Sequence, residues 1–176
     1  MDVYSVAILT VSDRCSSGES EDTSGPKIAS AVQSLPWASV STRACVPDEA
    51  DKIISQLTEW VDPTQGIHLI LTTGGTGLAP RDVTPEATQA VIERPHPGLV
   101  EMMRSICGEK NPRAYLSRAV AGATNQSLII NLPGSVRGAI ESFESIVEIL
   151  PHALGVLCAT ELDHSNEDQR MKRVKG

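Results

Sequence analysis

Between Leu69 and Thr84 the chain reads Leu-Ile-Leu-Thr-Thr-Gly-Gly-Thr-Gly-Leu-Ala-Pro-Arg-Asp-Val-Thr, an apolar run that empties into a glycine-rich turn with an acid near its far end. Gly74, Gly75 and Gly77 lack a β-carbon, so backbone N–H groups can converge there on an anion, above all a phosphate. Thr76 sets a hydroxyl inside the same turn. No Gly-Lys-Ser/Thr follows at Walker spacing, and the glycines do not fit a G-x-G-x-x-G fingerprint. Thr84-Pro85-Glu86 reads as a helix start, with Thr84 as N-cap and Pro85 at the first helical position.

Carboxylates recur around this turn. Asp13 and Asp22 follow the first apolar segment, Asp48 the second, and Asp82 the glycine turn itself. Taken singly, Asp48 followed by Glu49 fits a helix cap, and Asp82 could pair with Arg81 or cap the helix at Pro85. Taken together, acids beside anion nests would repel a phosphate unless a divalent cation lay between them. Metal-bound nucleotide is the economical reading, with Mg²⁺ held by one or two carboxylates and phosphate oxygens. Pro133-Gly134-Ser135 offers a second anion nest. Ser105 reads as a surface hydroxyl, Ser117 and Arg118 as a polar loop, and Asn131 as a strand end that can satisfy backbone groups. Lys27, Lys110 and Arg113 read as surface cations, and the four histidines as structural or solvent-facing.

These residues need a frame that brings them to one edge. Tyr4 to Val11 is nearly continuous in apolarity, the habit of a strand covered on both faces. A helix opens at Gly25-Pro26 with Ile28, Ala29, Val32 and Leu35 on one side. Val40 to Val46 is a second strand, Glu49 to Val61 an amphipathic helix, and Ile67 to Thr72 a third strand. Pro85 to Glu93 and Gly98 to Cys107 read as helices separated by Arg94-Pro-His-Pro97. In the ambiguous stretch that follows, Tyr115 to Val120 is expected as a short strand and Gly122 to Gln126 as its turn. Ser127 to Leu132 is the fourth strong strand, and the last helix carries Ile140, Phe143, Ile146, Val147 and Leu150 until Pro151 restarts or kinks it.

Strands alternating with helices predict an α/β fold, a three-layer α/β/α sandwich with a mostly parallel central sheet. Functional groups then belong in the loops at the carboxyl ends of the strands. The 176 residues make one domain, residues 1–160, with a polar tail or linker over 161–176.

Composition narrows the partners. Aromatics are 3% of the chain and the net charge is −7, which disfavours a base-stacking surface or an anionic membrane. Cys15, Cys45, Cys107 and Cys158 are scattered without zinc-ligand spacing and are expected as small buried thiols in a reducing compartment. No apolar run approaches a bilayer span, and the start of the chain lacks a signal-peptide pattern, so a cytoplasmic protein is expected.

The segments Ala7-Ile-Leu-Thr-Val-Ser-Asp13, Asp22-Thr-Ser-Gly-Pro26, Val46-Pro-Asp-Glu49, Thr72-Thr-Gly-Gly-Thr-Gly77, Pro80-Arg-Asp-Val-Thr-Pro-Glu-Ala-Thr88, Leu116-Ser-Arg118 and Leu128-Ile-Ile-Asn-Leu-Pro-Gly-Ser135 closely resemble the molybdopterin adenylyltransferases of the Mog and gephyrin G-domain type. The likeness runs from about Val6 to about Leu157. It implies a homotrimer that transfers AMP from ATP to the terminal phosphate of molybdopterin, releasing pyrophosphate, with Mg²⁺ as cofactor. By that resemblance Asp48 and Asp82 are the catalytic acids, and Asp48 and Asp22 hold the metal. Ser12, Asp13, Asp22, Gly74, Gly75, Thr76 and Gly77 meet the nucleotide. Ser105, Ser117, Arg118, Asn131, Pro133, Gly134 and Ser135 meet the pterin and its phosphate. Thr23 stands where many relatives carry Arg. A molybdenum-insertion domain or protein is an implied partner, and a non-catalytic, molybdopterin-binding trimeric scaffold is the alternative.

Overall fold

The computed structural model describes residues 3–159. The expected tail from 161 lies outside the described residues. Among these residues six strands form one mixed sheet: β1 (Tyr4–Val11), β2 (Ala38–Val46), β3 (Leu69–Thr73), β4 (Arg94–Pro95), β5 (Ala121–Thr124) and β6 (Ser127–Leu132), in the order β2-β1-β3-β6-β5-β4. Pairs β1–β2, β1–β3 and β3–β6 are parallel, whereas β5–β6 and β4–β5 are antiparallel. Seven helices among the described residues pack on it: α1 (Asp13–Ser16), α2 (Ser24–Gln33), α3 (Ala50–Trp60), α4 (Thr84–Val91), α5 (Pro97–Lys110), α6 (Val136–Ile146) and α7 (Leu150–Cys158).

The continuous apolar strands explain the layering. Successive side chains of a strand point to opposite faces. Val6 and Ile8 of β1, Leu69 and Leu71 of β3, and Leu128 and Ile130 of β6 therefore share one core with Ile28 of α2, Val100 of α5 and Phe143 of α6. Ala7, Leu9, Ile70 and Ile129 face the other way, against Ile53 and Leu57 of α3 and Ala87 of α4. The expected three-layer α/β/α architecture is the observed one.

Two local expectations need correction. Tyr115 to Val120 is not a strand: Pro112–Leu116 is a 3-10 helix, with the Asn111 side chain accepting from the N–H of Arg113 at 3.2 Å. The strand lies later, in the small residues Ala121–Thr124, and returns through a two-residue turn in which Asn125 adopts φ 52°. Only small side chains fit there, because a β-carbon on Gly122 would sit 2.8 Å from the Arg94 carbonyl oxygen. Pro151 marks a restart, as α6 ends at Ile146 and α7 begins at Leu150. The cysteines also differ from expectation: Cys107 is buried, Cys15 and Cys158 are partly exposed, Cys45 is exposed, and all four are free thiols.

Register sets the site. Val11 pairs with Val46, Thr10 with Thr73, and Thr73 with Leu132, so β1, β2, β3 and β6 end at nearly one level. Their exits are Ser12-Asp13, Pro47-Asp48, the glycine turn and Pro133-Gly134. Strand order reverses at β1, which is flanked by β2 and β3, and the carboxyl ends beside such a switch point form a crevice.

Candidate active site

The glycine turn is packed against its neighbours rather than hung over them. A β-carbon on Gly74 would lie 2.1 Å from the Val11 carbonyl oxygen, and one on Gly134 would lie 3.1 Å from the α-carbon of Gly74. The exits of β1, β3 and β6 therefore touch backbone to backbone, which only glycine permits. Thr73 Oγ1 donates to the Pro133 carbonyl at 2.8 Å and fastens the two nests together.

Asp13 and Asp48 lock each other across the ends of β1 and β2. The Asp13 N–H donates to Asp48 Oδ2 at 2.9 Å, and the Asp48 N–H donates to Asp13 Oδ1 at 3.0 Å. Asp48 is thus no helix cap; the residue preceding α3 is Glu49, whose side chain makes no cap bond. Burial pushes the Asp48 carboxyl above the usual carboxylate range, and the charges of Asp13 and Asp82 push it further. Arg81 grips Asp13 with two nitrogens, NH2–Oδ1 at 2.7 Å and Nε–Oδ2 at 3.1 Å, and holds that carboxyl below the usual range. Burial first, and then the nearby Cys15, Asp22 and Asp48, drive the Cys45 thiol up to about 11.

Thr84 corrects a further expectation. Its hydroxyl caps nothing: α4 is preceded by Val83, the Thr84 N–H donates to the Gly75 carbonyl at 3.1 Å, and Thr84 Oγ1 is buried with no hydrogen-bond partner among the described residues. The point where Gly75 lacks a β-carbon is 2.3 Å from Thr84 Oγ1 and 3.0 Å from Asp48 Oδ1. Two oxygen donors of hard-cation type thus border one small gap at the turn. Among the described residues no cluster of three or more His, Cys, Asp or Glu could hold a metal, so a bound ion would need oxygens from its ligand as well. That donor set fits Mg²⁺, which keeps one or two carboxylates and takes phosphate oxygens. Asp22 is already engaged, accepting from Thr10 Oγ1 at 2.7 Å and from the Gly25 N–H at 3.0 Å at the start of α2.

On the other side of the glycine turn lies a cavity of about 510 Å³, lined by Gly75, Thr76, Gly77, Asp82, Ser117, Pro133, Gly134 and Ser135. Its size is that of a drug-sized ligand site. Gly75 borders both the cavity and Asp48. The structure therefore brings together the glycine turn, Asp82, Ser117 and the second nest, with Asp48 and Asp13 adjoining. Ser12 and Ser135 sit at the same edge as helix N-caps, accepting from the N–H groups of Cys15 at 3.3 Å and Gly138 at 3.2 Å.

Three expected ligand residues are otherwise placed. Asn131 is fully buried; its amide donates to Thr72 Oγ1 and Thr88 Oγ1, each at 2.9 Å, and its oxygen accepts from the Val120 N–H at 3.2 Å. It stitches β6 to β3 and α4 and does not reach the cavity. Ser105 is exposed on α5, away from the cavity lining. Arg118 is spent as a brace, donating to the carbonyls of Gly77 and Asp82 and to Glu86, whose carboxyl it holds below the usual range. Its own strap is held by Arg104, which donates to the carbonyls of Ser117 at 3.0 Å and Ala119 at 2.7 Å.

The cavity also recruits residues that sequence reasoning passed over: Cys107 and Asn111 on and after α5, Arg113, Gly138 and Ser142. The detectable signal was spacing. Gly138 and Ser142 stand four apart on one face of α6, whereas Asn111 follows the end of α5 in extended backbone and carried no such signal.

A family model for a probable molybdopterin binding domain matches residues 7–152. The chain belongs to this family. A molybdopterin adenylyltransferase of Helicobacter pylori (strain J99) is 35% identical over 176 residues, with 99% of each chain covered. The molybdenum cofactor synthesis protein cinnamon of Drosophila melanogaster is 38% identical over 157 residues, covering 89% of this chain. The present chain spans only about a quarter (26%) of that longer relative. Among solved structures, the molybdopterin biosynthesis enzyme MoaB of Thermus thermophilus superposes with a TM-score of 0.83 at 48% identity, covering 88% of this chain and 96% of its own. Among the described residues no helix is long and apolar enough to cross a membrane.

Proposed function

We propose that this molybdopterin-binding domain is a molybdopterin adenylyltransferase, acting in molybdenum cofactor biosynthesis by moving AMP from ATP to the terminal phosphate of molybdopterin. The observation that carries the reading is the division at Gly75: an acid corner with oxygen donors on one side, and on the other a cavity of about 510 Å³ lined by the glycine turn and by Pro133-Gly134-Ser135. The likeness to a named adenylyltransferase over 99% of both chains supports the same activity.

In this reading an oxygen of the molybdopterin phosphate attacks the α-phosphorus of ATP, and the bond from that phosphorus to the oxygen bridging to the β-phosphate breaks, releasing pyrophosphate. A phosphate monoester has a second pKa of about 6 and is largely dianionic at neutral pH, so no general base is required. The protein's work is to overcome repulsion between two polyanions and to align them. Backbone N–H groups from Gly75 to Gly77 hold ATP phosphates, the Gly74 N–H being turned to the Leu132 carbonyl at 3.4 Å, with Thr76, itself buried, as the hydroxyl in the turn. Asp48 and the Thr84 hydroxyl would hold Mg²⁺, which when bound neutralises phosphate charge and stabilises the leaving pyrophosphate. Asp82 keeps the loop closed by accepting from the Ala79 N–H at 2.9 Å and lines the cavity. Ser117, Pro133, Gly134 and Ser135 floor the pterin side, with Arg113 as its cation.

The domain on this reading is residues 1–160, working in the cytoplasm as a homotrimer and handing its product to a molybdenum-insertion domain or protein. Pyrophosphate release that requires ATP, Mg²⁺ and molybdopterin together is the expected result for the purified chain. Molybdopterin binding without any release would favour the scaffold reading instead.

A further inference from the structure

Arg81 belongs to the glycine loop yet is bound away from it. Its guanidinium makes a two-nitrogen grip on Asp13, while its side chain is 60% exposed and that of Asp13 45% exposed. The oxygen it holds at 2.7 Å, Asp13 Oδ1, is the same atom that accepts the Asp48 N–H at 3.0 Å. Among the described residues Arg81 is therefore the cation nearest the acid corner. The other arginine at the loop, Arg118, is committed to the Gly77 and Asp82 carbonyls. An exposed ion pair of this kind contributes little net stability, and guanidinium matches phosphate oxygens as well as it matches carboxylate.

We infer that Arg81 is a partner-exchanging phosphate ligand: Asp13 parks it over the acid corner in the free protein, and the ATP polyphosphate takes it from Asp13 on binding. The inference rests on the adenylyltransferase reading and deepens it. Parking serves a physical need. Asp13, Asp48 and Asp82 load this corner with negative charge, and a loose arginine would be drawn to Asp48, where a cation must sit. Held on Asp13, it leaves the Asp48 carboxylate open and stays within a side chain's reach of the turn. When the polyphosphate arrives, the guanidinium brings positive charge to the oxygens that will leave as pyrophosphate, where charge grows during transfer.

The test uses the full chain with Mg²⁺ and α,β-methylene ATP, which cannot transfer AMP, and reads affinity by calorimetry. Arg81→Met is expected to bind the analogue at least about tenfold more weakly, with molybdopterin affinity and thermal midpoint unchanged because the side chain is exposed. Arg81→Lys should recover part of the loss, since a point charge replaces a fork. Asp13→Asn keeps an oxygen for the Asp48 N–H but drops the charge that parks Arg81, so it should tighten analogue binding severalfold, and only while Arg81 is present. Equal affinity of wild type and Arg81→Met would overturn the inference and leave the adenylyltransferase reading intact. Asp13→Asn acting identically in the Arg81→Met background would overturn the exchange. Failure of the wild-type chain to bind the analogue at all would remove both.

Discussion

Where β1 and β2 end, polar groups hold one another; where β6 and α5 end, they line open space. At the acid corner Asp13 and Asp48 exchange backbone hydrogen bonds and Arg81 closes over Asp13, so charge is concentrated and its geometry is set before any ligand arrives. At the cavity, Asn111 and Arg113 are exposed, and Pro133 and Gly134 line it beside them. The contrast separates two demands on an adenylyl-transfer site. On the proposed reading the corner fixes a metal and a reactive polyphosphate within tight tolerance, whereas the cavity admits a bulky second substrate and releases it enlarged.

The sharpest break between the two halves is Asp48→Asn. The amide can still accept the Asp13 N–H, so the corner's geometry survives, but the carboxylate proposed to hold the ion is gone. Turnover should fall on the order of a thousandfold or more, the loss of several kcal/mol of charge stabilisation. Molybdopterin binding, measured by calorimetry, should be retained. Loss of both together in a folded protein would mean that corner and cavity are one unit.

Asn131→Ala should do the reverse, harming the fold and sparing the chemistry. It leaves Thr72 Oγ1, Thr88 Oγ1 and the Val120 N–H without their shared partner inside the core. Unpaired buried groups cost about 1–3 kcal/mol each, less where the hydroxyls find one another, so a net loss of roughly 2–3 kcal/mol in chemical denaturation is expected. KM for either substrate should hardly move below the new melting temperature.

How much of this was legible is clear from Asn131 and Arg118. Both stand at strand or loop ends beside the nests, and their types suit a ligand as well as an internal bond. Sequence locates such residues but does not say which way they face, because a buried amide and a binding amide need the same chemistry. Glycine at 74, 75 and 77 was far more telling, since positive φ at Gly74 and Gly75 and close contact at all three, with the Val11 carbonyl, with Thr84 and Asp48, and with Asp82, demand the absence of a side chain. The apolar runs of β1, β3 and β6 were equally plain, being covered on both faces. The region from 108 to 125 was not, because its strand is made of Ala, Gly and Thr, chosen to let β4 and Ile92 approach and carrying no apolar period. The cavity's far wall escaped for a similar reason: Arg113 follows a proline turn, where a ligand cation and a solvent cation look alike.

Arg113 sharpens the comparison from the cavity side. Arg113→Ala removes the cation lining that space without touching the acid corner. Molybdopterin should bind about tenfold more weakly, roughly 1.4 kcal/mol, with ATP-analogue affinity unchanged. A matching loss for both ligands would show the cation serving the corner instead.

The smallest expected effect lies in pH, and it tests whether the corner is electrostatically loaded. Asp48 is held above the usual carboxylate range by burial first and then by Asp13 and Asp82. A carboxyl whose folded pKa is raised favours the fold fully while it is protonated, below its unfolded pKa, and that contribution is lost as pH rises through the folded value. Wild type should therefore lose stability relative to Asp48→Asn as pH climbs from about 3.9, the ordinary aspartate value, to neutrality, as read from urea midpoints across that range. The exposed Asp13, lowered by Arg81, acts in the opposite sense and favours the fold toward neutral pH, so the two variants Asp48→Asn and Asp13→Asn should tilt the profile in opposite directions. Added Mg²⁺ with nucleotide should narrow the Asp48 difference, because a bound cation favours the ionised carboxylate that burial disfavours. If the profiles of wild type and Asp48→Asn run parallel throughout, the crowding of Asp13, Asp48 and Asp82 carries no energetic weight, and the corner is set by hydrogen bonds alone.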